Sequence, residues 1–158
     1  MDLLSELLAA THLPLATIAL RLFAAAIFGA IIGIEREWRN RPAGLRTHML
    51  TALAAALFTV LTIEILYSES LRSDNAQADP IRIIEAVTSG VAFLAAGAII
   101  QTRNRVHGLT TGAGMWLAGA LGVAAGLGQI AVGLVAALLG MIIIIVLKRF
   151  EKIGAGNG

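Results

Sequence analysis

Five apolar stretches, each close to the length that crosses a lipid bilayer, restrict this chain more than any other feature. A hydrocarbon core of ~30 Å is crossed by about 20 predominantly apolar residues in helical form. The stretches are 15–34, 49–66, 83–100, 109–127 and 130–147. The last two contain no Asp, Glu, Lys or Arg, and each of the first three contains a single one: Arg21, Glu64 and Glu85. A buried helix of a soluble core explains one such stretch, but not five in 158 residues. With 58% hydrophobic and 14% charged residues, too few polar groups remain to coat a water-soluble surface. The expected fold is therefore all-α, a polytopic transmembrane helix bundle forming a single domain over residues 1–158.

The rest of the composition narrows the function. The net charge of +2 is too small for a nucleic-acid module, so no nucleic-acid partner is expected. With no Cys there is no disulfide scaffold, thiolate metal site or Cys nucleophile. The N-terminal segment 1–14 is acidic and has no Lys or Arg, unlike the basic start of a cleavable secretory signal. No nucleophile elbow, P-loop or dinucleotide fingerprint occurs, and Ser89 has no His nearby, so the chain is not expected to be an enzyme.

Basic residues favour cytoplasmic loops. Placing the N-terminus outside puts nine Lys and Arg on the inner side and two on the outer side, Arg72 and Arg82. The expected topology is N-out and C-in. The polar segment 68–79 reads as an exposed outer loop, with Pro80 opening the third helix. Gly128-Gln129 makes the last two spans an antiparallel hairpin.

Small residues recur within the spans. Gly29 and Gly33 are four apart, as are Ala118, Gly122 and Gly126, while Gly90 and Gly97 mark the third span. Such residues let helix backbones approach closely, which implies a tight bundle and a candidate homodimer face.

Charges inside a span are costly, and they face protein or water rather than lipid. By depth, Arg21, Glu64 and Glu85, with Ser89 nearby, are expected to form one cluster toward the outer side. Read functionally, this is a cation or proton site whose carboxylates suit Mg²⁺. Read structurally, it is an ion pair between helices, and Arg21 argues against a dedicated divalent site because it already neutralises one acid. The inner side is denser. Glu35, Arg36 and Glu37 run into a turn at 42–44, followed by Arg46 and Thr47, and the third loop ends in Gly108-Leu109-Thr110-Thr111. Under this topology the two segments meet, either as positive-inside anchoring to lipid headgroups or as a functional surface. Thr110 and Thr111 suit capping of the fourth helix. His48 and His107 lack zinc-ligand spacing, and the metal content is left open.

These residues resemble the MgtC/SapB family of bacterial inner-membrane proteins. The resemblance is carried by Gly33-Ile34-Glu35-Arg36-Glu37 followed by Pro42-Ala43-Gly44-Leu45-Arg46-Thr47. Arg82-Ile83, Val87, Ser89-Gly90 and Phe93-Leu94-Ala95-Ala96-Gly97 carry it further, as do Gly108-Leu109-Thr110-Thr111-Gly112 with Trp116, and Arg21. Ala95, Gly112 and Glu85 depart from the residues usual in the family. Virulence-associated members carry a C-terminal soluble domain resembling ACT modules, and control through such a domain is not carried over to a chain ending at Gly158.

The resemblance implies a multi-pass protein of the bacterial inner membrane. It implies a role in Mg²⁺-related homeostasis or low-Mg²⁺ adaptation through regulation of a membrane-protein partner; contact with lipid follows from the apolar spans, and a homodimer is expected from their small-residue faces. The alternative is a Mg²⁺ or other cation carrier or channel using Glu64 and Glu85, and a purely structural lipid-binding bundle is a third reading. No cofactor is firmly implied, and Mg²⁺ is the ion to which the resemblance points.

Overall fold

The computed structural model describes residues 11–41, 43–67, 81–102 and 105–154. Five helices fall on the five apolar stretches: α1 (Leu15–Trp38), α2 (Leu45–Tyr67), α3 (Ile81–Gly97), α4 (Leu109–Gly126) and α5 (Ile130–Gly154). Helices α1, α2 and α4 are long and apolar enough to cross a membrane; α3 has 17 residues, and the apolar part of α5 is Ile130–Val146. The expected loop 68–79 and the basic residues Arg72 and Arg103 lie outside the described residues.

The link between α3 and α4 differs from the expectation. Helix α3 stops at Gly97 rather than running to Ile100. The chain then forms an antiparallel hairpin of β1 (Ile100–Thr102) and β2 (Arg105–His107), with Ile100 opposite His107. Ile100, Thr102 and Val106 are β-branched and favour extended backbone once the helix has ended. Gly108, at φ 91°, then turns the chain into α4, and a Cβ there would collide with the Ala98 carbonyl.

Two other helix ends are set by the same device. At the end of α1 the Arg41 N–H bonds the Arg36 carbonyl at 3.1 Å and the Asn40 N–H bonds that of Glu37 at 3.0 Å, with Asn40 at φ 49°. After α4 the Gln129 N–H bonds the Ala124 carbonyl at 2.8 Å and the Gly128 N–H bonds that of Ala125 at 2.9 Å, with Gly128 at φ 82°. Both are Schellman closures, in which a left-handed Asn or Gly satisfies carbonyls that the helix leaves free.

Small side chains bring α1, α2 and α4 into close contact. A Cβ on Gly29 would lie 2.5 Å from the His48 carbonyl, and one on Gly126 would lie 2.8 Å from the Ala56 carbonyl. A Cβ on Gly122 would collide with the Ala52 carbonyl. Around this seam Ala25, Phe28 and Ile32 of α1 pack with Ala52 and Ala56 of α2, Ala118, Leu121 and Ala125 of α4, and Ala137 of α5. Helix α3 joins through a separate, smaller cluster in which Val87 and Val91 meet Ala55. It therefore sits at the edge of the bundle. Large apolar side chains such as Phe23 and Phe93 point outward, as a lipid-facing surface requires.

Candidate functional site

The family-like residues of the first and third motifs converge at the end of the bundle where α1 passes into α2 and α4 begins. Glu35, in the last turn of α1, is 5% exposed and so is Arg36. The Arg36 Nε donates to Glu35 Oε2 at 2.6 Å, Arg36 Nη2 reaches the same oxygen, and Arg39 pairs with Oε1. The carboxylate is thus clamped between a buried guanidinium and one at the rim.

Glu37 does different work. Its Oε2 accepts the Leu45 N–H at 2.9 Å, placing a negative charge at the start of α2, where the helix dipole favours it. A side chain at Gly44 would collide with that carboxylate, so the glycine is what lets Glu37 reach across the turn. Ala43 holds φ 55° in the same turn. Arg46 is exposed on α2, and Thr47 contributes its carbonyl to the Thr51 hydroxyl at 2.8 Å.

His48 is fully buried, at 0% exposure. Its Nδ1–H donates to the Gly44 carbonyl at 2.9 Å, while Nε2 has no hydrogen-bond partner among the described residues. A Cβ on Gly33 would lie 2.9 Å from the His48 Cβ, and one on Gly114 would lie 3.0 Å from Nε2. Glycines of α1 and α4 therefore leave the room that the imidazole occupies between the helices. The ring carries one bare nitrogen where α1, α2 and α4 meet.

Beside this seam lies a cavity of about 670 Å³. Its polar lining comes from Arg36, Arg41, His107, Thr110 and Thr111, and its apolar wall includes Ile143 and Ile144 of α5. The expected capping by Thr110 and Thr111 does not occur. Gly108 is the N-cap and makes no side-chain cap bond, because the left-handed turn there puts both threonines inside the helix.

The opposite end corrects the expected cluster. The Arg21 Nη1 donates to the Gly126 carbonyl at 2.8 Å, and its guanidinium lies against Gly128. Glu64 accepts the backbone N–H of His12 at 2.5 Å and of Leu13 at 2.9 Å, and the His12 ring stacks on Tyr67 at 4.4 Å. Glu85 and Ser89 are exposed on α3. The three charges satisfy backbone groups or face outward rather than one another, and among the described residues no group of three or more His, Asp or Glu is placed to hold a metal ion. Gly90 and Gly97 also depart from expectation: among the described residues a Cβ at either would meet nothing within 4 Å, so neither is a close helix contact there. Gly29, Gly33, Gly122 and Gly126 do pack helices, and all face the interior.

Comparison with known proteins places this geometry. The family model described as "MgtC family" matches residues 22–153. This chain belongs to the MgtC family. It is 36% identical over 86% of its length to SrpB of Synechococcus elongatus, covering 78% of that protein. It is 42% identical over 76% of its length to MgtC of Salmonella typhimurium, covering 48% of it. It is 35% identical over 79% of its length to YhiD of Escherichia coli K12, whose name proposes a magnesium transporter, covering 58% of it. The chain thus spans about half to three quarters of these relatives. No solved structure matches it.

In this MgtC-family chain the first motif builds the turn and its ion pairs, and the third builds the adjoining helix start. Sequence reasoning weighed His48 only as a metal ligand and Arg41 only as one of the loop's basic residues, and it passed over Gly114. The readable signal for His48 was its place four residues after Gly44, the spacing at which a helical side chain reaches a carbonyl. Gly114, on α4, gave no local signal because its neighbour His48 is 66 positions away.

Proposed function

We propose that this MgtC-family membrane protein serves Mg²⁺ homeostasis by docking on a membrane-protein partner. In this reading it works as a homodimer in the bacterial inner membrane, with its basic end toward the cytoplasm. The magnesium assignment rests on the family and on the name of YhiD. The observation that carries the docking reading is the outward face of α3. Arg82, Glu85, Ser89, Gly90 and Phe93 are all exposed there, and Phe93 is 81% exposed. Glu85 lies within the apolar stretch, and a carboxylate facing hydrocarbon is costly, so a protein surface is the natural cover. A second copy fits. In a parallel two-fold pair, Arg82 of one copy and Glu85 of the other differ in height by about 4.5 Å, at ~1.5 Å per residue, within reach of an Arg side chain. Gly90 leaves room for close helix approach.

The carrier reading draws less support. Glu64, one of its two ligands, already accepts two backbone N–H groups. The chain has no Cys, so Ser89→Cys creates a unique crosslinking site. Oxidation in native membranes is expected to give a covalent dimer with Ser89→Cys and none with the buried Ala118→Cys. Purified protein in liposomes is expected to admit no more Mg²⁺ than empty vesicles. Saturable Mg²⁺ entry, or a Ser89→Cys protein that stays monomeric, overturns the corresponding half of the reading.

A further inference from the structure

His48 sits where a titratable side chain is least expected, at the packed junction of three helices. It is 0% exposed and stands with Ile32 and Leu121 among the largest fully buried side chains. Its Nδ1–H is committed to the Gly44 carbonyl at 2.9 Å, so Nε2 carries the lone pair of a neutral ring. No donor among the described residues meets that buried acceptor. Packing enforces this. Gly33 of α1 stands against the His48 Cβ and Gly114 of α4 against Nε2, with Ile32 beside Gly114. The backbone groups of α4 at this point are taken up by the helix's own bonds.

The junction has room for the neutral ring and no provision for the charged one. A second proton, on Nε2, would point at Gly114, where no acceptor waits. The surrounding charges do not compensate. Helix α4 has no Asp, Glu, Lys, Arg or His, nor has α5 between 130 and 146. Helix α1 brings Arg36, three residues past Gly33 and 5% exposed, as the charge that acts on the ring. Glu35 is engaged by Arg36 and Arg39, and Glu37 by the Leu45 N–H. On α2 itself Arg46 is exposed, and Arg41 and His107 line the neighbouring cavity. An imidazolium here would add a buried positive charge beside a guanidinium whose carboxylate is already shared.

We propose that His48 is a proton-operated latch: its neutral ring locks α4 against α1 and α2, and a proton on Nε2 releases α4 at the basic end of the bundle. Once the junction parts, the ring meets water and takes its second proton near the ordinary imidazole pKa of about 6.5. The open form then binds more protons than the closed one, so closure is fully favoured above that pH and weakens as the pH falls below it. The latch rests neither on the dimer nor on the magnesium reading.

The test uses the purified full chain in detergent. The chain has no Cys, so Ala118→Cys places a single thiol one turn beyond Gly114, at a site 0% exposed. Its rate of maleimide labelling is divided by that of the exposed Arg46→Cys, which removes the pH dependence of the thiol itself. Between about pH 7.5 and about pH 5.5 the ratio is expected to rise about tenfold. With His48→Asn added, whose side chain does not titrate, the ratio is expected to stay flat. A second measurement leaves His48 in place. With His12→Gln and His107→Gln the imidazole signal in NMR belongs to His48 alone. It is expected to show the neutral Nδ1–H form where labelling is slow, and the imidazolium to grow in step with labelling. Three results overturn the latch: a ratio that stays flat with His48 present, a ratio that rises equally with His48→Asn, or an imidazolium that forms with no rise in labelling.

Discussion

Both ends of α4 are met by arginine, and the two meetings are electrostatic opposites. At its C-terminus Arg21 donates to the Gly126 carbonyl at 2.8 Å, a cation at the negative end of the helix dipole. At its N-terminus Arg36 and Arg41 line a cavity together with Thr110 and Thr111 of the helix's first turn. The first end is closed. Its carbonyls are bonded by Arg21, Gly128 and Gln129, and Gly126 packs against Thr59. The second is open, with no side-chain cap on the helix and a cavity beside it. The same residue type thus completes a helix end in one place and lines an open cavity in the other. A positive charge inside a bilayer becomes informative only once the group it faces is known.

The largest expected effect comes from Glu35, whose carboxylate is clamped by arginine at the open end. Glu35→Gln strands Arg36, which is 5% exposed, without its carboxylate. Breaking a buried pair from one side costs about 3 kcal/mol or more. The midpoint of thermal unfolding in detergent is expected to fall accordingly. A shift no larger than that of an exposed-site variant such as Arg46→Gln would mean that the clamp is solvated and that the open end needs no internal counter-charge.

The closed end comes next. Arg21→Gln shortens the side chain and removes the charge from the bond to Gly126. A hydrogen bond to a charged group contributes about 1.5–3 kcal/mol, and the half-buried position of Arg21 puts the loss at about 1–2 kcal/mol. The loss is expected to add to that of Glu35→Gln at the far end of α4. A double variant whose loss departs clearly from the sum would show that the two ends act as one unit and would dissolve the contrast between them.

The five helices were legible because bilayer thickness imposes a length that composition alone exposes. The inner turn was legible as a constellation, since Glu35, Arg36, Glu37 and Gly44 lie close together in sequence. What each residue does there was not. That Glu37 caps α2 depends on the turn geometry that brings it to the Leu45 N–H. The outer cluster failed for a related reason. Ranking Arg21, Glu64 and Glu85 by depth pairs side chains with side chains, whereas the structure pairs Arg21 and Glu64 with backbone groups that no residue type announces. Depth also carries no information about rotation, which turns Glu85 away from the bundle. The hairpin at 100–107 was hidden because a short β-branched run reads equally well as the end of an apolar helix.

The smallest expected effect is the most discriminating. Thr111→Val replaces a hydroxyl with a methyl of nearly the same size at a site 2% exposed. Had the hydroxyl bonded a helix carbonyl, as Thr59 bonds Ala55 at 2.8 Å, its loss would cost about 1 kcal/mol. With no hydrogen bond of this hydroxyl among the described residues, the protein is expected to keep its unfolding midpoint within about 0.5 kcal/mol in detergent, the range of changes that break no specific feature. Thr59→Val is the matched comparison, because it removes the same group from the closed half of the bundle and should be the more destabilising of the two. If instead Thr111→Val loses as much stability as Thr59→Val, the hydroxyl already has a partner within the protein, and the N-terminal end of α4 is as closed as the end that Arg21 seals.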